Sequence, residues 1–253
     1  RGHSAAAVEA DGMTVPLPDV SPTPLARRLA ALALIGAGVA AGVGQVVLLR
    51  ELLNIAAGNE LTIGLMLAGW FLWGAVGASW VGRRAARDTH TWHALRRVLV
   101  LAPAPWLMLV LSAVGVRLVP LLLSRVAPPW GVPMGAVMGL PHLVTASLLA
   151  ALPAAMLAGA QFAAGLALYA RLQPHSSANG QAYGLDALGH LAGGVLTAVL
   201  LSLGLGPYPM VVIGGVASLI GGVSVLWALG SPRTRLMQCN PVALALLIGP
   251  SQI

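Results

Sequence analysis

The chain has 253 residues, of which 58% are hydrophobic and only 8% charged, and its mean hydropathy is +0.86. A soluble domain carries roughly 25% charged residues, so this composition excludes a chain that covers itself with a solvated surface; its natural partner is a lipid bilayer. The net charge of +7 comes from fourteen basic residues, all arginine, against seven acids; they stand in short clusters between apolar runs, without the basic stripe and interleaved aromatics that would suggest a nucleic-acid partner.

The expected fold is all-α, a polytopic integral membrane bundle with six clear transmembrane helices and a partial seventh. Helices are required because lipid satisfies no backbone N–H or C=O group, and no alternating strand pattern is present. Residues 1–26, rich in Pro, Ala and acids, read as an extended or disordered cytoplasmic tail, and residues 27–253 as a single transmembrane domain. The tail lacks the basic start and immediate apolar run of a cleavable signal peptide. Arg1 is not a start-codon product and Met13 is a plausible native start, so the sequence reads as a fragment or as one whose last helix is incomplete.

The first span runs from about Leu29 to Leu49 and the second from Leu61 to Gly82. The third runs from Val98 to Leu123. A fourth lies within Met134 to Tyr169, interrupted by Pro141 and Pro153. The fifth covers Tyr183 to Leu203 and the sixth Tyr208 to Leu229. A seventh begins near Pro241, where the apolar run is shorter than the roughly 20 residues a helical span needs.

Arginine placement sets the expected orientation. Arg27 and Arg28, the group Arg83, Arg84, Arg87, Arg96 and Arg97, then Arg171, Arg233 and Arg235 fall on one side; Arg50, Arg117 and Arg125 fall on the other. The positive-inside rule then puts the N-terminus in the cytoplasm. The pairs Gly38/Gly42, Gly135/Gly139 and Gly189/Gly193 have the spacing that lets helix backbones approach closely in lipid, within the chain or between copies. Trp70 and Trp73 share one face of the second span and read as packing residues. Gln161 is expected to make an interhelical hydrogen bond.

Charged groups at bilayer depth cost a few kcal/mol even on mild insertion scales, so each needs a partner or a purpose. The densest group is in LLRELLNIAAGNELTIG, residues 48–64, with Arg50, Glu51, Asn54, Asn59 and Glu60. Gly58 permits a turn, Asn59 suits a helix cap, and Glu60 suits the first turn of the second span. The functional alternative is that Arg50, Glu51, Asn59 and Glu60 line the outer mouth of a ligand site. A second group is Tyr183, Asp186 and His190, where the i,i+4 spacing puts Asp186 and His190 on one face. They form either a satisfied buried pair, a proton relay or a ligand site. His142, just after Pro141, is a third candidate.

His142 and His190 are the only intramembrane candidates for binding haem, because His3, His90, His93 and His175 lie in tails and loops; chlorophyll and quinone are further candidate cofactors. The single Cys239 excludes an internal disulfide and any multi-cysteine metal site. GAGVAAG, residues 36–42, is glycine-rich but lies inside a span with no preceding strand, which excludes a nucleotide loop. No catalytic residues or metal ligands are assigned.

Three segments together resemble the membrane-embedded spermidine synthase-like proteins. QVVLLRELLNIAAGNELTIGLMLAGWFLWGAVGASWVGRR (45–84) is similar to that family's first helical hairpin. LPAAMLAGAQFAAGLAL (152–168) is similar to a later helix, and GQAYGLDALGHLAGG (180–194) to the segment after it. The resemblance covers roughly Ala30 to Leu229. It implies a multi-span domain distantly similar to half of a major-facilitator transporter. In that family this domain usually precedes a cytosolic aminopropyltransferase domain that binds decarboxylated S-adenosylmethionine; no such segment is present in these 253 residues. His190 stands where the resemblance implies a small or apolar residue.

The leading expectation is therefore a non-catalytic membrane subunit or scaffold whose ligand is a polyamine, a lipid or a quinone. Two other readings stand beside it. One is an accessory subunit of a membrane electron-transfer or photosynthetic complex contacting haem, chlorophyll or quinone. The other is a half-size transporter working as an oligomer. The expected partners are other membrane subunits or further copies of the chain, in a bacterial inner (cytoplasmic) membrane.

Overall fold

A computed structural model describes residues 23–56, 58–87, 97–98, 101–102, 114, 139–173 and 177–229. Every regular element among them is an α-helix: α1 Pro24–Ile55, α2 Leu61–Arg87, α3 Leu140–Leu172, α4 Ala178–Ser202 and α5 Pro207–Leu229. All five are long and apolar enough to cross a membrane, as the composition requires. The expected third span lies almost wholly outside the described residues. The seventh, the tail before residue 23, Gly135 and Cys239 lie wholly outside them.

Local chemistry explains the boundaries. Thr23 caps α1, its Oγ1 accepting from the Ala26 N–H at 3.1 Å, and Pro24 occupies the first turn, where a missing N–H costs nothing. Between α1 and α2, Gly58 takes φ +77°, a left-handed conformation open to glycine. Asn59 Oδ1 then accepts from the Leu61 N–H at 3.0 Å and starts α2.

The prolines of the fourth expected span do not interrupt it. Pro141 lies in the first turn of α3, and the helix passes through Pro153 without a break to Leu172. Pro153 removes one N–H and crowds the carbonyl four residues back. The residues after it, Ala154 and Ala155, are small and buried, so the surrounding packing holds the helix together.

Close glycine contacts fix the packing. A Cβ at Gly42 would lie 2.7 Å from the His190 carbonyl oxygen, and one at Gly193 would lie 2.5 Å from that of Val39; Gly38 faces Gly189. Two of the expected Gly-x-x-x-Gly pairs thus pack on each other, and α1 and α4 run parallel. A Cβ at Gly36 would lie 2.7 Å from Ala217 O and one at Gly221 2.9 Å from Ala33 Cα, so α5 runs antiparallel to α1. Gly165 meets the Leu34 side chain, while Leu48 and Leu52 share a cluster with Ala150 and Ala154, so α3 is also antiparallel to α1. Helix α2 lies parallel to α3, with Gly69 beside Leu148 and Ala151 and Gly77 against Met156. Trp73 fastens this pair, its Nε1 donating to Leu148 O at 3.0 Å, and Trp70 is buried in the same region.

Helices α1 and α4 therefore run one way, and α2, α3 and α5 the other. The arginines therefore separate among the described residues: Arg27, Arg28, Arg83, Arg84, Arg87, Arg97 and Arg171 at one end, Arg50 at the other. Arg171 Nη2 donates to Ala85 O at 3.2 Å, and the Arg84 guanidinium stacks 4.6 Å from the Trp80 ring. Burial, then the like charges of Arg171 and Arg84, lower the pKa of Arg97 below the usual arginine value.

Gln161 makes the interhelical bond expected of it. Its Nε2 donates to Ser218 Oγ at 2.7 Å, and Ser218 donates to Ala102 O at 2.9 Å. Both side chains are buried. Ser218→Ala strands a donor and an acceptor together, so it is expected to cost about 1–3 kcal/mol. The double variant Gln161→Leu/Ser218→Ala is expected to cost less than the sum of the singles, read from unfolding midpoints in mild detergent.

Candidate functional site

The polar residues of the α1–α2 hairpin divide by burial. Arg50, Asn54 and Glu60 are exposed, Asn59 is half-buried in its capping role, and Glu51 is 2% exposed. Arg50 and Glu51 are sequence neighbours, so they point about 100° apart on a helix. Arg50 stays with Asn54 on the outer face. Glu51 falls on the inner face, three to four residues after the buried Val47 and Leu48.

Helix register shows what lies level with Glu51. The contact of Gly165 with Leu34 and the antiparallel course of α3 bring Ser147 to the height of Glu51. The parallel α2–α3 contacts bring Thr62 level with His142, about one turn nearer the helix ends. The α1–α5 contacts put Tyr208 about one turn to the other side. Glu51, Thr62, His142 and Ser147 of α1, α2 and α3 thus lie within a slab roughly two turns deep, with the exposed Tyr208 of α5 at its edge.

Two of these residues were invisible in the sequence. Ser and Thr inside helices usually bond their own backbone one turn back. Thr145 does so to Pro141 O at 2.8 Å, Thr197 to Gly193 O at 2.7 Å and Ser224 to Ile220 O at 2.7 Å. Thr62 and Ser147 do not. Both are fully buried, and their hydroxyls have no hydrogen-bond partner among the described residues. A buried hydroxyl without a partner costs about 1–3 kcal/mol, which sets Thr62 and Ser147 apart from Thr197 and Ser218, buried but bonded.

The second predicted group forms a real pair. His190 Nδ1 lies 3.3 Å from Asp186 Oδ2 and 3.1 Å from the Asp186 carbonyl oxygen. Both are acceptors, so this network assigns the ring proton to Nδ1. The Tyr183 ring packs against Phe162 of α3 at 4.9 Å. The pair's backbone also forms the close contact with Gly38 and Gly42, a structural role sufficient in itself.

His142 and His190 are not brought together. His190 is level with Gly42, whereas His142 lies near the start of α3, about fifteen residues and so roughly 20 Å further along the bundle axis. One haem iron needs both axial imidazoles within bonding distance, and this arrangement offers no such site. Among the described residues no group of three or more His, Cys, Asp and Glu could hold a metal ion.

No family model, curated protein or solved structure matches this chain.

Proposed function

We propose that the chain is a non-catalytic integral membrane domain that binds a polyamine in the layer formed by Glu51, Thr62, His142 and Ser147. The observation carrying this reading is the burial of Glu51, at 2% exposure, level with a buried hydroxyl that has no partner within the described residues. An intramembrane carboxylate is a functional-site candidate by default. An ammonium group offers only donors, and carboxylate and hydroxyl oxygens are the acceptors it needs. Glu60, exposed at the start of α2, supplies a second carboxylate at the mouth for a second ammonium. The resemblance of residues 45–84 to the spermidine synthase-like hairpin supports the same ligand class. In this reading the chain sits in a bacterial inner membrane with its arginine-rich end in the cytoplasm, alongside other subunits or further copies of itself.

Calorimetry with spermidine on the purified chain in mild detergent tests the reading. A charge-assisted hydrogen bond contributes about 1.5–3 kcal/mol, so Glu51→Gln is expected to weaken binding by roughly tenfold or more. No binding heat with the unaltered chain, or equal binding by a Glu51→Gln/Glu60→Gln protein, would end it.

A further inference from the structure

At the opposite end, an open groove of about 690 Å³ runs along α4 beside Tyr169 of α3, and the polyamine reading does not use it. Tyr169, Gln181, Gly184, Leu185, Leu188 and Leu191 line it. Its polarity is graded along its length. At the arginine-rich end, Tyr169 Oη donates to Gln181 Oε1 at 3.2 Å and Gln173 Nε2 donates to the same oxygen at 2.7 Å. Gln181 Nε2 in turn donates to Ser177 Oγ at 3.4 Å, and Gln181 is exposed while Gln173 is half-buried. Deeper in the span the lining is leucine, and Leu188 and Leu191 are 59% and 64% exposed, so the groove opens sideways toward lipid. Asp186, on the same helix, is occupied with His190 and is not part of the lining.

A polar head, a single apolar tail and a lateral entrance describe a lipid. Charge decides which kind. The described residues at this end carry arginines from α1, α2 and α3. Basic clusters at a membrane surface attract anionic headgroups. We propose that the groove holds one acyl chain of an anionic phospholipid, its phosphate lying between the Gln173–Gln181 amides and the arginine-rich end.

Gly184 makes the test clean, because a Cβ there meets nothing within 4 Å. Gly184→Leu fills the groove without forcing helices apart. Gly194→Leu adds the same side chain to equally open space on the same helix, outside the groove. The full chain is reconstituted with equal phosphatidylglycerol, phosphatidylcholine and ubiquinone, re-extracted in mild detergent, and weighed intact by native mass spectrometry. Retention of phosphatidylglycerol over the other two by the unaltered chain and by Gly194→Leu, with loss in Gly184→Leu, is the expected result. Circular dichroism of Gly184→Leu should match the unaltered chain. Equal retention by both variants, equal retention of phosphatidylcholine, or preferential retention of ubiquinone would overturn the proposal.

Discussion

Leucine at Gly77 or Gly159 is expected to disrupt the bundle, while leucine at Gly82, on the same helix as Gly77, is expected to be tolerated. A Cβ at Gly77 would run into the Met156 carbonyl, with the carbonyl carbon at 2.7 Å, and one at Gly159 into the backbone of Gly74, with its carbonyl carbon at 2.7 Å and Cα at 2.9 Å. Backbone cannot rotate aside as a side chain can, so α2 and α3 must separate. Separation also breaks the Trp73–Leu148 hydrogen bond and loosens Met66 and Trp70 against Ala150 and Ala154. Overpacking a tight site costs about 1–3 kcal/mol, sometimes more, and in lipid no hydrophobic drive returns the helices to each other. At Gly82 nothing lies within 4 Å. Thermal unfolding in detergent followed by circular dichroism decides it. A Gly77→Leu protein as stable and monodisperse as Gly82→Leu would contradict the α2–α3 packing.

This contact also shows where sequence legibility stops. Gly38/Gly42 and Gly189/Gly193 carry the four-residue spacing of a helix interface, and they do pack on each other. Gly74 and Gly77 are three apart and Gly159 stands alone among alanines, so no spacing rule singles them out; only the register of α2 on α3 does. Pro153 misled in the opposite direction, because propensity penalises proline in a helix interior while tertiary packing here overrides it. The hairpin was legible down to Gly58 and Asn59, since φ and cap chemistry are local. The polar layer was not. Glu51 could be separated from Arg50 only by knowing which face of α1 is buried, and Thr62 and Ser147 only by seeing that they, unlike Thr145 and Thr197, leave their own backbone alone. Likewise Asp186 and His190 could be paired from spacing, but the distance between His190 and His142 depends on how α1 packs on α3 and α4.

Orientation carries the second large effect, because it decides which aqueous side reaches Glu51. Cysteine at Arg50, in a Cys239→Ser background, is expected to react with a membrane-impermeant maleimide in intact cells. Cysteine at Arg87 is expected to react only after permeabilisation. Both positions are exposed and lie at opposite ends of the α1–α2 hairpin, so accessibility within the protein does not bias the comparison. The physical ground is the charge asymmetry: arginine-rich ends resist translocation and are held by the anionic inner leaflet, and among the described residues α1, α2 and α3 all place their arginine-bearing ends together. The expected pattern opens the Glu51 layer outward, and the proposed polyamine would then enter from outside the cell. The reverse pattern would put Glu51 and Glu60 on the cytoplasmic side and turn the arginine-rich groove away from the leaflet whose anionic lipids it is proposed to hold. A single labelling experiment therefore bears on both proposed sites, which stand on the same side of its outcome.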